Sequence, residues 1–361
     1  MGVDSLRRID DLLPPLDHEE LLVRRGRRSG LPVMVAVHST ARGPALGGVR
    51  LWTYASEPLA VLDVLRLSRA MSYKNAAAGL PLGGGKGVIC LPAARSGVAL
   101  SGRARTAALL DFADVVDALD GRYLTAEDVG MSARDMATIA DGTQHVTGLA
   151  RSRGGSGDPS PLTAVGVEAA IETVCARLFG SRSLRGRSVA IVGLGHVGAR
   201  LAERCAKAGV SLVLADIDPA RRALAERLGA RWTTPGRALS AKVDVLAPCA
   251  LGGVLSAASV PKLRCRAIVG AANNQLTEET VAGLLAHRGI LWAPDFVVNA
   301  GGVINLAVEL RPEGYDPAVA RRQTRAIGDT LAQILDAAAS AGVPPLAAAN
   351  ALAERRMAAK A

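Results

Sequence analysis

Apolar residues recur at two spacings along the chain and predict an alternating series of strands and helices. Near the start, "LPVMVAVHST" from residue 31 predicts a buried strand, and "PLAVLDVLRLSRAMSYKN" carries apolar residues at helical spacing. "KGVICLP" then predicts a strand, "ARTAALLDFADVVDALD" a helix, and "GRYLTAEDVG" a strand that runs into a loop. This half is therefore predicted to be α/β with a sheet.

The pattern changes at residues 151–161, "RSRGGSGDPSP", where glycine, serine and proline cluster as they do in a hinge or linker. Ser160 is predicted to cap the next helix, with Pro161 at its first position. Beyond it, the short apolar runs "SVAIVG", "SLVLAD", "VDVLAPC", "AIVGAA" and "GILWAP" alternate with helical stretches. This alternation favours a doubly wound parallel sheet that is covered by helices on both faces.

The length of 361 residues exceeds what one hydrophobic core usually supports, so we predict two domains. The first spans residues 1–151 and the second residues 152–334. Two helices rich in alanine and leucine are predicted in "AVARRQTRAIGDTLAQILDAAASAG" and "PPLAAANALAERRMAAK". The last helices, from about 335 to 361, are expected to pack back on the first domain.

The chain is basic, with a formal charge of +10 and a dense run, "RRGRR", at Arg24 to Arg28. Such a run is one signature of nucleic-acid binding. The other basic residues, however, are mostly arginines scattered singly, and no aromatic residues interleave with the run to stack on bases. We therefore interpret the run as a solvated loop and expect no nucleic-acid partner.

The five cysteines form no closely spaced pair and lie in apolar surroundings, which suits reduced thiols that pack as small hydrophobic side chains. The first residues, "MGVDSLRRIDDLLPPLDHEE", are acidic where a secretory signal needs an apolar segment. No stretch has the roughly 18 consecutive apolar residues of a membrane-spanning helix. We expect a cytoplasmic protein with no membrane partner and no metal site.

A dinucleotide-binding pattern follows the linker. In "SVAIVGLGHVGARLAERCAKAGVSLVLADID", Gly193, Gly195 and Gly198 follow a predicted strand and open a helix, and the next strand ends at Asp216. The helix N-terminus favours the pyrophosphate charge, and Asp216 would bind the ribose hydroxyls and repel a 2′-phosphate, so NAD is favoured over NADP. Asp218 precedes a proline and is predicted to cap a helix. The alternative is a glycine-rich turn without a dinucleotide.

Two lysines lie twelve positions apart in the apolar stretch "MSYKNAAAGLPLGGGKGVIC". Burial of Lys86 beside Lys74 would disfavour both charges, so one of the two should lose its proton readily and serve as a general base. The glycines at positions 83–85 are expected to leave room for a ligand near Lys86. The alternative is a pair of surface lysines beside a hairpin.

The segment "YLTAEDVGM" places Glu127 and Asp128 at the end of a predicted strand, where active-site groups often gather. Either acid could transfer protons, and the spacing does not distinguish between them. A helix-capping role is the alternative for both.

Together these motifs resemble the glutamate, leucine, phenylalanine and valine dehydrogenases, most closely the leucine, valine and phenylalanine members. The resemblance extends through "AVHSTARGPALGGVRLW", "MSYKNAAAGLPLGGGKGVI", "GRYLTAEDVG", "GDPSPLTAVGV", "GLGHVG", "APCALGG", "GAANNQL" and "APDFVVNAGGVINLAVEL". It implies reversible NAD-dependent oxidative deamination of an L-amino acid to a 2-oxo acid and ammonia. It also implies a Rossmann NAD-binding domain, a catalytic and oligomerisation domain, a cleft between them, and a homo-oligomer of two or more chains.

The resemblance also implies roles for individual residues. Lys74 would bind the substrate carboxylate, Lys86 would be the catalytic base, and Asp128 rather than Glu127 would be the catalytic acid. Asn273 would lie near the nicotinamide and the substrate amino group. The other predicted substrate-binding residues are Leu46, Gly47, Met71, Val298 and Leu306. The other predicted cofactor-binding residues are Thr163, His196, Val197, Cys249, Ala250 and Asn299, beside Asn273 and the residues of the glycine motif.

Substrate choice follows from two positions where the glutamate-specific relatives have a lysine and a serine. Here they are Leu46 and Leu306, so a second carboxylate would be buried without a cation. An apolar substrate of the leucine, valine or isoleucine type is therefore expected, unless both leucines are core residues. The alternatives are an aromatic substrate, such as phenylalanine or tryptophan, and a catalytically silent protein that senses NAD or binds nucleic acid.

Overall fold

A computed structural model describes residues 16–93 and 100–359 of the chain. These residues divide into two compact units, the first within Met1–Asn75, Pro81–Arg153 and Met357–Ala361, and the second within Ala76–Leu80 and Gly154–Arg356. The boundary at Gly154 lies inside the predicted linker. Residues 335–356 group with the second unit, and both the predicted domain limits and the packing of the last helices on the first domain stay predictions.

The first unit is built on a mixed sheet of five strands in the order β1-β2-β4-β3-β5. The strands are β1 (Glu20–Arg25), β2 (Pro32–Ser39), β3 (Ala45–Tyr54), β4 (Gly83–Pro92) and β5 (Tyr123–Glu127). Strand β2 is antiparallel to β1 and β4, whereas β3 is parallel to β4 and β5. The helices are α1 (Glu57–Ala77), α2 (Gly102–Asp117) and α3 (Ala133–Ala140).

The two faces of this sheet pack against different helices, which explains why β2 is apolar on both faces. On β2, Val33 and Val35 belong to a core with Phe112 of α2, whereas Met34 and Ala36 belong to a core with residues of α1. Successive side chains of a strand point to opposite faces, so both faces of β2 must be apolar.

The second unit is a sheet of six parallel strands in the order β11-β10-β9-β6-β7-β8. Its strands are β6 (Ser188–Val192), β7 (Ser211–Ala215), β8 (Arg231–Trp232), β9 (Val243–Pro248), β10 (Cys265–Ile268) and β11 (Leu291–Trp292). This is the doubly wound order in which ligands bind at the carboxyl edge, where the winding reverses between β6 and β9. The predicted α/β fold with a Rossmann sheet is confirmed.

Ten helices of this unit follow in chain order. They are α4 (Ser160–Phe179), α5 (His196–Lys207), α6 (Arg222–Arg227), α7 (Pro235–Leu239), α8 (Thr280–His287), α9 (Asp295–Val298), α10 (Gly301–Glu309), α11 (Pro317–Arg325), α12 (Ile327–Ala341) and α13 (Pro345–Ala358). No helix in the described ranges is long and apolar enough to cross a membrane.

Three local predictions were wrong: the first residue of one helix, the number of C-terminal helices and the bounds of one strand. Helix α4 begins at Ser160 rather than Pro161, because Pro159 takes the cap position and the Asp158 carboxylate accepts the Ser160 N–H at 2.8 Å. The C-terminal region forms three helices rather than two, with a break at Ala326. The predicted strand "AIVGAA" begins earlier, at Cys265, and ends at Ile268.

The basic run is only partly the solvated loop that the sequence predicts. Arg24 and Arg25 are exposed but lie on the edge strand β1. Arg28 is neutralised by two carboxylates of α2, with Nη1 at 3.1 Å from Asp111 and 2.6 Å from Asp114. The run therefore contributes less free positive charge than its composition indicates.

Candidate active site

Lys86 lies in the centre of β4, on the face of the sheet that packs against α1. It shares this face with Val88 and Cys90, which belong to the α1 core, and it pairs in register with Ala36 of β2. The strand is buried along nearly its whole length. The ammonium group is thus held by a rigid, central element, which is the placement that a precisely oriented functional group requires.

Asp128 provides the partner of Lys86. It follows the last residue of β5, and its Oδ2 accepts a hydrogen bond from Lys86 Nζ at 2.6 Å. The same oxygen lies 3.3 Å from Nε of Arg50 on β3. The Lys86 side chain is 7% exposed and that of Asp128 is 22% exposed, so the pair is mostly but not completely removed from solvent.

Charge around Asp128 determines its protonation state. Burial alone would favour the neutral acid, but the Lys86 ammonium, the Arg50 guanidinium and the Val129 N–H together hold the pKa of Asp128 below its usual range. Asp128 is therefore a carboxylate at neutral pH. The charges in contact with it belong to Lys86 and Arg50, and the predicted effect of Lys74 on Lys86 stays a prediction.

The glycines before Lys86 do not leave open space, contrary to expectation. A Cβ atom on Gly83 would lie 1.8 Å from the Ser39 carbonyl oxygen, and one on Gly84 would lie 2.1 Å from the Ser72 nitrogen. At Gly85 it would lie 2.6 Å from the Tyr123 ring. The missing side chains are thus replaced by protein atoms, and the glycines let strands, α1 and an aromatic ring approach β4 closely.

This close approach positions the helix that carries Lys74. Lys74 is half-buried in the last turn of α1, and Asn75 beside it donates hydrogen bonds to the carbonyls of Gly83, at 2.6 Å, and Leu46, at 3.3 Å. One buried amide therefore ties α1 to both β3 and β4.

Three other predicted substrate-binding residues lie on these elements. Leu46 on β3 is completely buried. A Cβ atom on Gly47 would lie 3.2 Å from Cγ of Met71 on α1, so these two predicted residues lie close together. The first unit thus brings together Lys86 with Asp128 and, separately, Gly47 with Met71.

In the second unit, the glycine motif lies at the carboxyl end of β6. Gly193 has a φ of 99°, and a Cβ atom there would lie 2.6 Å from Cβ of Ala250. On Gly198 a Cβ atom would lie 1.9 Å from the Gly193 carbonyl oxygen and 3.2 Å from Cβ of Cys249. These glycines therefore allow the tight turn and the close approach of α5 and β9, as the motif requires.

Gly195 differs from the other two glycines, because a Cβ atom there would meet no atom within 4 Å. It caps the N-terminus of α5, and both Gly195 and His196 are exposed, with Val197 half-buried behind them. An exposed helix N-terminus with room at its cap suits the negatively charged pyrophosphate of a dinucleotide. The chain therefore fits NAD at this end of the sheet.

Asp216 follows β7 directly and lies beside the glycine loop. Its Oδ2 accepts the Leu194 N–H at 2.5 Å, and its Oδ1 accepts the Asp218 N–H at 2.9 Å. Asp216 thus supports the loop in addition to its predicted contact with ribose. Asp218 accepts the Ala220 N–H and caps a short 3-10 turn, which confirms its predicted capping role.

The remaining predicted residues of the second unit are placed as follows: three are predicted to bind the cofactor and two the substrate. Asn299 donates to Asn273 Oδ1 at 2.7 Å, so these two amides are in direct contact. Thr163 on α4 contacts the start of α10, where a Cβ atom on Gly301 would lie 2.8 Å from its Cα. Val298 on α9 and Leu306 on α10 are buried.

Arg50 was missed by the sequence analysis, although a signal was present. An arginine interrupts the apolar pattern of "ALGGVRLW", and a charged residue inside a strand needs a partner. Its partners are Asp128 and Asp63, and no local pattern identifies them because both are distant in sequence.

The comparisons with known proteins agree with this architecture. Residues 21–145 match the model of the Glu/Leu/Phe/Val dehydrogenase dimerisation domain, and residues 213–361 match that of Glutamate/Leucine/Phenylalanine/Valine dehydrogenase. Residues 172–250 also match the NAD-binding domain of D-isomer specific 2-hydroxyacid dehydrogenases.

Individual relatives match nearly the whole chain. Leucine dehydrogenase of Thermoactinomyces intermedius is 42% identical over 97% of this chain and 93% of its own. Valine dehydrogenase of Streptomyces virginiae is 44% identical over 94% of each. The crystal structure of L-tryptophan dehydrogenase from Nostoc punctiforme superimposes with a TM-score of 0.81 at 37% identity, and covers 95% of this chain and 96% of its own. The chain therefore belongs to the Glu/Leu/Phe/Val dehydrogenase family and is an NAD-dependent amino-acid dehydrogenase.

Proposed function

We propose that the protein catalyses the reversible, NAD-dependent oxidative deamination of a branched-chain L-amino acid to its 2-oxo acid and ammonia. The observation that carries the proposal is the ion pair between Lys86 on β4 and Asp128 after β5, whose 2.6 Å hydrogen bond links a base and an acid across the intervening strand β3. The similarity to leucine and valine dehydrogenases supports the substrate class.

The pair suits the proton transfers of such a reaction. Oxidation at the α-carbon produces an imine, and we propose that Lys86 removes a proton from the water that attacks it. Asp128, held as a carboxylate, would receive and return the proton of the departing amine. The 2.6 Å contact allows a proton to pass directly between the two groups. Lys74, as a cation on α1, would bind the substrate carboxylate.

The second unit would hold NAD through the glycine loop, the N-terminus of α5 and Asp216, with Thr163, Cys249, Ala250, Asn273 and Asn299 as further proposed contacts. When bound, NAD supplies the acceptor for the hydride that leaves the substrate α-carbon. Asp216 would disfavour a 2′-phosphate through charge repulsion and thereby select NAD over NADP.

For the substrate side chain, we propose contacts with Leu46, Gly47, Met71, Val298 and Leu306. None of these residues carries a cation, so the γ-carboxylate of glutamate would lose its hydration without compensation. A second candidate is an aromatic substrate, since L-tryptophan dehydrogenase of Nostoc punctiforme is 40% identical over 95% of this chain.

We further propose a cytoplasmic homo-oligomer. Its five cysteines are all free, as expected in a reducing compartment. The match of residues 21–145 to a dimerisation-domain model supports self-association through the first unit.

The proposal is tested by supplying each L-amino acid with NAD and following NADH absorbance. Leucine, valine or isoleucine should give the highest kcat/KM, with glutamate at least roughly 100-fold lower because its carboxylate would be buried unpaired. Lys86→Ala and Asp128→Asn should each lower kcat by roughly 1,000-fold or more. Lys262→Ala, at an exposed lysine, is the matched control. The proposed function would be refuted if glutamate were the best substrate or if the Lys86→Ala variant kept most of the wild-type activity.

A further inference from the structure

We propose that Arg50 is a positioning residue for this reaction: by sharing Asp128 with Lys86, it weakens the hold of the carboxylate on the lysine proton. The inference rests on the proposed function, because it presumes that Lys86 and Asp128 exchange protons with the substrate. It adds a residue of β3 to a pair contributed by β4 and β5.

The sheet places Arg50 between the two proposed catalytic groups. Strand β3 lies between β4 and β5, and Arg50 pairs in register with Val88 of β4. Val49 and Leu51 point into the core with α2, so Arg50 points to the opposite face, as Lys86 does. Its guanidinium thereby reaches Asp128 from the strand next to both partners.

Gly48 makes this arrangement possible. It lies on the same face of β3 as Arg50, and a Cβ atom there would lie 2.8 Å from Cβ of Asp128. Any side chain at this position would push Asp128 away from the sheet. The second glycine of "ALGGVR" therefore sets the distance at which Arg50 and Lys86 meet the carboxylate.

Both cations bind the same oxygen atom. Lys86 Nζ lies 2.6 Å and Arg50 Nε 3.3 Å from Asp128 Oδ2. A guanidinium stays charged at every pH at which the protein is folded, whereas a lysine can lose its proton. When Lys86 is neutral, Arg50 still compensates the buried carboxylate. Without Arg50, the carboxylate would depend on Lys86 alone and would stabilise its ammonium form more strongly.

The far end of Arg50 is fixed to helix α1. Its Nη1 lies 2.9 Å from Asp63 Oδ2, which also accepts the Tyr54 hydroxyl at 2.7 Å, and Arg66 binds the other Asp63 oxygen at 2.8 Å. Burial opposes charge on Asp63, but Tyr54, Arg66 and Arg50 lower its pKa below the usual range. Arg50 is therefore held at both ends by carboxylates.

Other titratable groups lie on the elements packed around Lys86. They are Glu57, Asp63, Arg66, Arg69, Tyr73 and Lys74 on α1, His38 on β2, Arg50 and Tyr54 on β3, Cys90 on β4, Tyr123 and Glu127 on β5, and Asp128 after β5. Burial, and then the neighbouring His18, lower the pKa of His38, so it titrates below neutral pH. Burial and the bond to Asp63 raise the pKa of Tyr54, so its phenol stays protonated. The pKa of each of these two groups is therefore displaced away from neutral pH.

The test is the pH dependence of kcat/KM for the preferred branched-chain substrate in the Arg50→Met, Arg50→Gln and Arg50→Lys variants. In Arg50→Met, kcat should fall roughly 100-fold, and the acid limb of the profile should move about one unit to higher pH. The KM for NAD should change less than about 2-fold, because NAD is proposed to bind the second unit. Arg50→Lys keeps the charge, so its acid limb should stay within about 0.3 unit of the wild type.

Arg66→Gln is the matched control, since it removes an exposed cation from Asp63 and should leave the profile unchanged. If Arg50→Met does not fold, Arg50→Gln replaces it, with circular dichroism and NAD binding as checks. A neutral variant that folds and keeps the wild-type acid limb would overturn the inference, as would Arg50→Lys shifting as far as the neutral variant. Absence of wild-type turnover, or an active Lys86→Ala, would instead refute the proposed function.

Discussion

The two units present their functional groups in different ways. In the first unit, charged side chains project from the middle of a sheet, with Lys86, Arg50 and Asp128 on one face. In the second, the candidate site is mainly backbone at the carboxyl edge of an apolar parallel sheet, with the exposed N-terminus of α5. The first unit must therefore stabilise buried charges by pairing them, whereas the second needs only a tight turn and an open helix end.

Glycine illustrates the same contrast. Beside Gly84 in the first unit, Ser72 occupies the space that a side chain would need. Beside Gly195 in the second unit, that space is open. One glycine is required by packing, and the other leaves access to the helix terminus. A Gly-rich motif alone does not reveal which of these two reasons applies.

The largest expected effect is a difference in the free energy of unfolding between alanine variants of these two glycines. In Gly84→Ala the new methyl group would lie 2.1 Å from the Ser72 nitrogen, so the first unit should lose about 3 kcal/mol or fail to fold. Gly195→Ala should change stability by less than about 0.5 kcal/mol. Hydrogen exchange followed by mass spectrometry would locate the loss in β4 and α1. Equal losses in the two variants would contradict the distinction.

A smaller effect is expected on cofactor choice. Asp216→Ser removes the charge that is proposed to face the ribose and the acceptor of the Leu194 N–H. The preference for NAD over NADP should fall roughly 10- to 100-fold, and NAD should bind more weakly because the loop loses support. Titration with both cofactors measures this. Asp218→Ser, at the capping acid, is the control and should keep the preference; an unchanged preference in Asp216→Ser would contradict the assignment.

The smallest effect concerns acid stability, which should differ between the units. The carboxyl groups with lowered pKa in the first unit are Asp17, Asp63, Asp111, Asp128 and Asp135, whereas Asp158 is such a group in the second. A lowered folded pKa contributes stability that is complete above the unfolded value of 3.8 and is lost as the pH falls through the folded value.

Hydrogen exchange should therefore show the first unit opening before the second as the pH falls below about 4. Asp111→Asn should reduce the pH dependence of the first unit, because Asp111 accepts hydrogen bonds from both Arg28 and Ser29. Simultaneous opening of both units, or an Asp111→Asn variant with the wild-type pH dependence, would contradict this prediction.

The sequence pattern was sufficient for most strands of the second unit and for the cofactor motif, but it predicted neither β1 nor β3 in the first unit. Apolar runs of strand length that alternate with helical spacing predict the parallel sheet, and the glycine motif lies between β6 and α5 as expected. The roles of Lys86 and Asp128 were implied by motif resemblance, whereas their direct contact was not predicted. The predicted features depend on neighbours in the chain or on a known motif, so they can be recognised without coordinates.

Long-range packing determines the rest. Arg50 and Asp128 are 78 positions apart, and they meet because β3 lies beside β5 and Gly48 leaves room between them. The glycines before Lys86 allow protein segments to pack closely, which becomes visible only when Ser72 and Tyr123 occupy the space beside them. Strand order and face decide these contacts, and neither is encoded in the spacing of residues along one segment.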